Sequence, residues 1–130
     1  MATEEIRFNE MRYADVVVLE PQGRLDQESS ETFQNQLLAL IGENSADRTN
    51  LVLDMRGVTY ISSVGLRALM VVAKQCSASN GKLVLANLSA VVLEIFEISR
   101  FNLIIDVHND VASAIAAISP DAAAAYATDQ

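Results

Sequence analysis

The stretch Leu51-Val52-Leu53-Asp54-Met55-Arg56-Gly57-Val58-Thr59-Tyr60-Ile61-Ser62-Ser63-Val64-Gly65-Leu66 carries a strand, a connection and the start of a helix. Leu51-Val52-Leu53 is a continuous apolar run closed by Asp54, which predicts a strand covered on both faces and placed centrally in a sheet. Met55 to Ile61 reads as a short connection. From Ser62-Ser63 onward, Leu66, Leu69, Met70 and Ala73 recur at i, i+3, i+4 and i+7, the apolar stripe of a helix that Asn80-Gly81 ends. A buried strand running into a helix is the unit from which α/β layer structures are built.

Upstream, Ile6-Arg7-Phe8 and Val16-Val17-Val18-Leu19-Glu20 are two β-rich runs parted by the polar stretch Asn9 to Asp15, and they suggest an antiparallel hairpin. After Pro21-Gln22-Gly23 and Arg24-Leu25-Asp26, either Ser29 or Ser30 is placed to accept from the free amides of a first helical turn. Phe33, Leu37, Leu40 and Ile41 then form a helical stripe ending near Gly42. Downstream, Leu83-Val84-Leu85 is a strand, and Ser89 caps a helix using Val91, Val92, Ile95 and Phe96. Leu103 to Val107 reads as a further strand. A last helix starts at Asn109 or Asp110, shows Val111, Ala114, Ile115 and Ile118, and stops at Pro120. The expected fold is α/β: a mixed sheet, mostly parallel with an N-terminal antiparallel edge hairpin, packed with about four α-helices. Residues 1–119 are expected to form one domain, and the alanine-rich 120–130 a frayed helical extension or a disordered tail.

Half of the 130 residues are apolar and a fifth charged, the profile of an ordinary folded globule. No run of roughly 18 apolar residues is present, so no membrane insertion is expected. Met1-Ala2-Thr3-Glu4-Glu5 has acids where a secretory leader carries bases, which points to the cytosol. The net charge of −8, with ten acids and four bases in residues 1–50, lacks the clustered cations that nucleic acid requires. Cys76 stands alone and is read as packing material.

No pattern for catalysis emerges. His108 has no Gly-x-Ser-x-Gly elbow upstream, and Ser79-Asn80-Gly81-Lys82 matches Ser-x-x-Lys only in a turn that ends a helix. Neither a phosphate-binding glycine loop nor a metal-ligand spacing is found, so no cofactor and no metal are expected. Asp26, Asp54 and Asp106 at strand ends are ordinary loop acceptors. What remains is the serine pair. Ser62 or Ser63 caps the helix, worth ~1 kcal/mol, but capping needs one serine only. Nor does it need Gly65, where Ala would favour the helix by ~1 kcal/mol. A small residue there lets another backbone or a partner come close.

Asp54 to Leu66 resembles the signature of the STAS domains, and specifically of the bacterial anti-anti-sigma factors, or anti-sigma factor antagonists. Gly23-Arg24-Leu25-Asp26 resembles the family's Gly-x-Leu-Asp, and the element order agrees from about Ile6 to Ile118. The family signature commonly reads Asp-Ser-Ser-Gly or Asp-Ser-Thr-Gly, with the phosphorylated serine two positions before the glycine. The resemblance therefore puts phosphorylation on Ser63, with Ser62 as second choice. The family's Asp position falls on Ser62 and its second hydroxyl on Val64. By the same transfer Asp26, Ser62, Ser63, Val64, Gly65 and Arg67 are the partner-binding residues, and Asp26 and Asp54 are framework or partner-facing acids. The resemblance implies a non-catalytic switch whose partners are an anti-sigma factor with serine kinase activity and a serine phosphatase. The same fold also serves in stress-sensing scaffolds and as an accessory subunit of lipid-transport complexes, the alternative reading.

Overall fold

A computed structural model describes residues 9–43 and 49–129. Its frame is a five-stranded sheet of β1 (Glu10–Tyr13), β2 (Val16–Leu19), β4 (Asn50–Asp54), β6 (Lys82–Ala86) and β7 (Asp106–His108), in that spatial order. Among the described strands only the β1–β2 pair is antiparallel, and β2–β4, β4–β6 and β6–β7 run parallel. Two further strands, β3 (Gly23–Leu25) and β5 (Val58–Ile61), pair in parallel as a separate ribbon. The helices are α1 (Ser30–Glu43), α2 (Ser63–Ala78), α3 (Ala90–Ile98), α4 (Val111–Ile118) and α5 (Pro120–Asp129). The mixed, mostly parallel α/β sheet with its antiparallel opening hairpin is the architecture expected from the sequence. Among the described residues no helix is long and apolar enough to cross a membrane.

The alternation of side chains along the strands sorts most of them by size, Val17 on the leucine face and Tyr13 on the valine face being the exceptions. Leu19, Leu51, Leu53, Leu83 and Leu85 face a core closed by Phe33 and Leu37 of α1, Leu69 and Val72 of α2, and Val92 and Phe96 of α3. Val16, Val18, Val52, Val84 and Ala86 face the other way, onto Val111, Ala114 and Ile115 of α4 and Ala122 of α5. Larger residues thus hold the thick three-helix layer, and small ones let two alanine-rich helices lie close. Both faces being covered, every residue of β2 and β4 is buried, and β4 is the central strand.

Four sequence-based expectations shift. The first hairpin strand is Glu10–Tyr13, inside the stretch read as a polar connector, and the turn is Ala14-Asp15 with Ala14 at φ 53°. Ile6-Arg7-Phe8 lies outside the described residues. Met55–Ile61 is a single 3-10 turn, Met55–Gly57, followed by the strand β5. The strand expected at Leu103–Val107 begins at Asp106, because Arg100 adopts the left-handed region at φ 62° and Phe101–Leu103 coils into a 3-10 turn. Of that apolar run only Ile105 is buried, whereas Leu103 and Ile104 are 76% and 58% exposed. Finally, the alanine-rich tail is a docked helix. Pro120 does not only end α4: it occupies the first position of α5, where its missing N–H costs nothing, and the Ser119 hydroxyl accepts from the Ala122 amide at 3.2 Å. The Tyr13 hydroxyl donates to Asp129 at 2.8 Å, and the Tyr13 and Tyr126 rings meet edge to face with centroids 5.1 Å apart. Burial and the Asp129 carboxylate together push the Tyr13 phenol up to about 12.

Candidate functional site

The β3–β5 ribbon aims the start of α2. Ser62 follows Ile61 directly, and its amide donates to the Leu25 carbonyl at 2.8 Å, fastening the helix entry to the end of β3. With extended backbone (φ −94°, ψ 175°), Ser62 is the N-cap: its hydroxyl accepts from the Gly65 amide at 3.2 Å, and its carbonyl accepts from the Leu66 amide at 2.9 Å. Of the two serines only Ser62, half-buried, has this task. Ser63 is the first helical residue and is exposed, and its hydroxyl hydrogen-bonds to no described residue.

Gly65 is buried, and its lack of a side chain has a local cause. A Cβ there would lie 2.7 Å from the Leu25 carbonyl oxygen and 2.8 Å from Cγ1 of Ile61. The close neighbour is this protein's own backbone, so Gly65 sets the approach of α2 to the ribbon from beneath the surface. Val64 and Arg67 lie on the outer side, Val64 38% exposed and Arg67 without an ion pair to any described residue.

Facing the helix start across an open groove is the loop after β3; Asp26, Gln27, Glu28, Tyr60, Ser62, Ser63 and Val64 form the lining. Asp26 folds this loop upon itself. Its Oδ1 accepts from the Glu28 amide at 3.0 Å and the Ser29 amide at 3.3 Å, and its Oδ2 is 3.7 Å from Nε of Arg24. Partial burial pushes the Asp26 carboxyl up, but these backbone donors, the Ser29 hydroxyl and the Arg24 charge outweigh it and hold the pKa below the ordinary carboxylate value. The expected capping of α1 by the Ser29 or Ser30 hydroxyl is not made among the described residues. The Ser29 hydroxyl turns back to donate to the Arg24 carbonyl, and the Asp26 side chain takes the loop amides. Arg24 also stacks on Tyr60, its guanidinium carbon 4.5 Å from the ring centroid. Asp54 stands apart as a buried brace, its Oδ1 accepting from the Arg56 amide and from Nδ2 of Asn87, both at 3.1 Å.

The structure therefore brings Asp26, Ser62, Ser63 and Val64 to one groove, sets Arg67 one turn along the helix and buries Gly65 below. Tyr60, Gln27 and Glu28 complete the groove and went unnoticed in the sequence; the cross-strand pair Arg24 and Tyr60 would have been the clue, had β3 and β5 been visible as partners. Chemically the groove offers a free hydroxyl at the positive end of a helix, where a negative group is tolerated. Among the described residues no cluster of His, Cys, Asp or Glu could hold a metal ion.

The family model for the STAS domain matches residues 9–114. The protein belongs to the STAS domain family. A relative in Bordetella bronchiseptica, BtrV, named as a candidate anti-sigma factor antagonist, is 38% identical over 96 residues, covering 74% of this chain and 80% of that protein. Among solved structures, a candidate anti-sigma factor antagonist of Thermotoga maritima superposes with a TM-score of 0.78 at 20% identity, over 85% of this chain and 93% of that one. The anti-sigma factor antagonist SpoIIAA in its unphosphorylated form superposes with a TM-score of 0.56 at 19% identity, over 71% and 83%. These superpositions speak for the fold. The STAS match ends within α4, so α5 lies beyond it.

Proposed function

We propose that this STAS domain is an anti-sigma factor antagonist that binds an anti-sigma factor with serine kinase activity, and that phosphorylation at Ser63 ends the complex. One observation carries the choice of residue: Ser62 is engaged in capping α2, while Ser63 beside it is exposed with its hydroxyl unengaged. The name borne by the BtrV relative supports the pathway. The physics follows from the groove. A partner surface fitted to a neutral hydroxyl flanked by Val64 and the 26–28 loop meets, after phosphorylation, about −1.5 to −2 of added charge and three oxygens that need hydration. Asp26 and Glu28 in the same lining add repulsion, so a docked partner must desolvate a groove whose net charge is negative, or part. The fold itself survives, because the phosphate sits at the positive end of α2. The phosphoryl transfer is the partner's chemistry, and a serine phosphatase resets the switch.

The test incubates the purified protein with the candidate kinase and ATP and maps the modified residue by mass spectrometry. Label is expected on Ser63 and absent from Ser63→Ala; equal labelling of the two proteins counts against the site. In a binding titration Ser63→Asp is expected to weaken the complex at least tenfold, ~1.4 kcal/mol, and unchanged affinity counts against the electrostatic account.

A further inference from the structure

Arg67 stands four residues after Ser63, on the same face of α2 and one turn along it. It is exposed, and it is the sole charged residue from Ser63 to Ala73, the next being Lys74. This is an inverted arrangement. The first turn of a helix favours acids, yet α2 has none there and places a cation near its positive end. Arg24 on β3 is already held between Asp26 and the Tyr60 ring. Arg67 has no acid at i±3 or i±4 on its own helix, where Val64, Met70 and Val71 accompany Ser63.

Resting on the reading of Ser63 given above, we propose that Arg67 is the built-in counter-ion of the Ser63 phosphate, and that phosphorylation disarms the docking face twice. It adds negative charge, and in the same step it withdraws the guanidinium from whatever acidic group of the partner it meets. A guanidinium matches phosphate oxygens in a two-pronged geometry, and i to i+4 spacing brings the two within reach without backbone movement. Asp26 and Glu28 on the opposite side of the groove repel the phosphate and turn it toward Arg67. Around the first two turns of α2 the charge passes from +1 to between about −0.5 and −1.

The experiment installs phosphoserine at position 63 during translation, so no kinase is needed, and follows the phosphate by phosphorus NMR against pH. Its second ionisation, ~6 in a free phosphoserine, faces opposed influences, the carboxylates of Asp26 and Glu28 raising it, the amides at the start of α2 and Arg67 lowering it. In the Arg67→Gln protein the midpoint is expected to be higher by about half a unit or more, and Arg67→Lys should retain most of the lowering. Identical midpoints for Arg67 and Arg67→Gln overturn the assignment. A merely structural role for an exposed arginine would leave the midpoint in place, and matching thermal unfolding of the unphosphorylated proteins confirms that the fold is intact. Failure of the kinase assay overturns the functional reading, whereas an unmoved phosphate titration overturns the role of Arg67.

Discussion

The two ends of α2 carry the same ingredients, serines and a glycine, and use them differently. At the C-terminal end the capping groups serve the architecture, and Ser77, exposed on the last turn, contributes only its carbonyl. The Asn80 amide donates to Ser77 and the Gly81 amide to Cys76, a Schellman motif with Asn80 in the left-handed region at φ 64°. The Ser79 hydroxyl donates to the Cys76 carbonyl and accepts from the Thr49 amide, tying the helix end to the start of β4. A Cβ on Gly81 would fall 1.8 Å from the Thr49 carbonyl oxygen. At the N-terminal end Ser62 and Gly65 do comparable work against Leu25, but Ser63 is left over. What sets Ser63 apart from the exposed Ser77 is its place in the groove with Asp26, Glu28 and Tyr60.

The contrast can be broken in four ways. The largest effect is expected from Gly81→Ala, where the methyl group collides with the Thr49 backbone just ahead of the central strand; a loss of about 3 kcal/mol in urea unfolding is expected. A loss below about 1 kcal/mol would mean that the C-terminal end yields more easily than its geometry says. Gly65→Ala is expected to cost about 1–2 kcal/mol, since the clash with Leu25 is partly offset by the ~1 kcal/mol better helix propensity of alanine. It should also weaken partner binding, because α2 must shift off the ribbon that aims Ser63.

The sharpest comparison is between the neighbouring serines. Ser62→Ala removes the cap and should lower stability by ~1 kcal/mol, whereas Ser63→Ala should stay within about 0.5 kcal/mol of the parent. If both cost the same, Ser63 belongs to the architecture and the distinction between the helix ends disappears. The smallest effect concerns acid. Since the folded Asp26 pKa is depressed, its stabilising contribution is present above its unfolded value and is lost as pH falls through the lower folded value. The Asp26→Ala protein should therefore show a shallower stability decline below about pH 4, read as unfolding midpoints across an acid series. An unchanged slope would show that the loop facing Ser63 is not held by that carboxylate.

What could be seen in the sequence follows a physical divide. Elements with a buried face write their period into the chain, so β2, β4, β6 and the stripes of α1 to α4 were legible. Capping residues with short-range partners were legible too: Ser89 accepts from Val92 and Asp110 from Ser113, as the spacing suggests. The β3–β5 ribbon was not, because its short strands are held by each other across more than thirty residues and by the Arg24–Tyr60 contact, with no alternation to betray them. Leu103-Ile104 misled in the opposite sense, for an apolar run says nothing about whether a neighbour is present to cover it. For the tail a helical extension was one of two readings, but its docking was not legible: alanines show almost no stripe, and α5 is held through Tyr126 and Asp129 by Tyr13 of β1.

From the chain alone came the α/β class, the central strand, the capped helix after it and the serine pair with its glycine, since each rests on residues within a few positions of one another. Which serine caps and which is free, that Gly65 answers to Leu25, and that the 26–28 loop closes the groove were decided only in three dimensions. Those choices depend on contacts between segments far apart in sequence, and such contacts leave no periodic trace in the residues that make them.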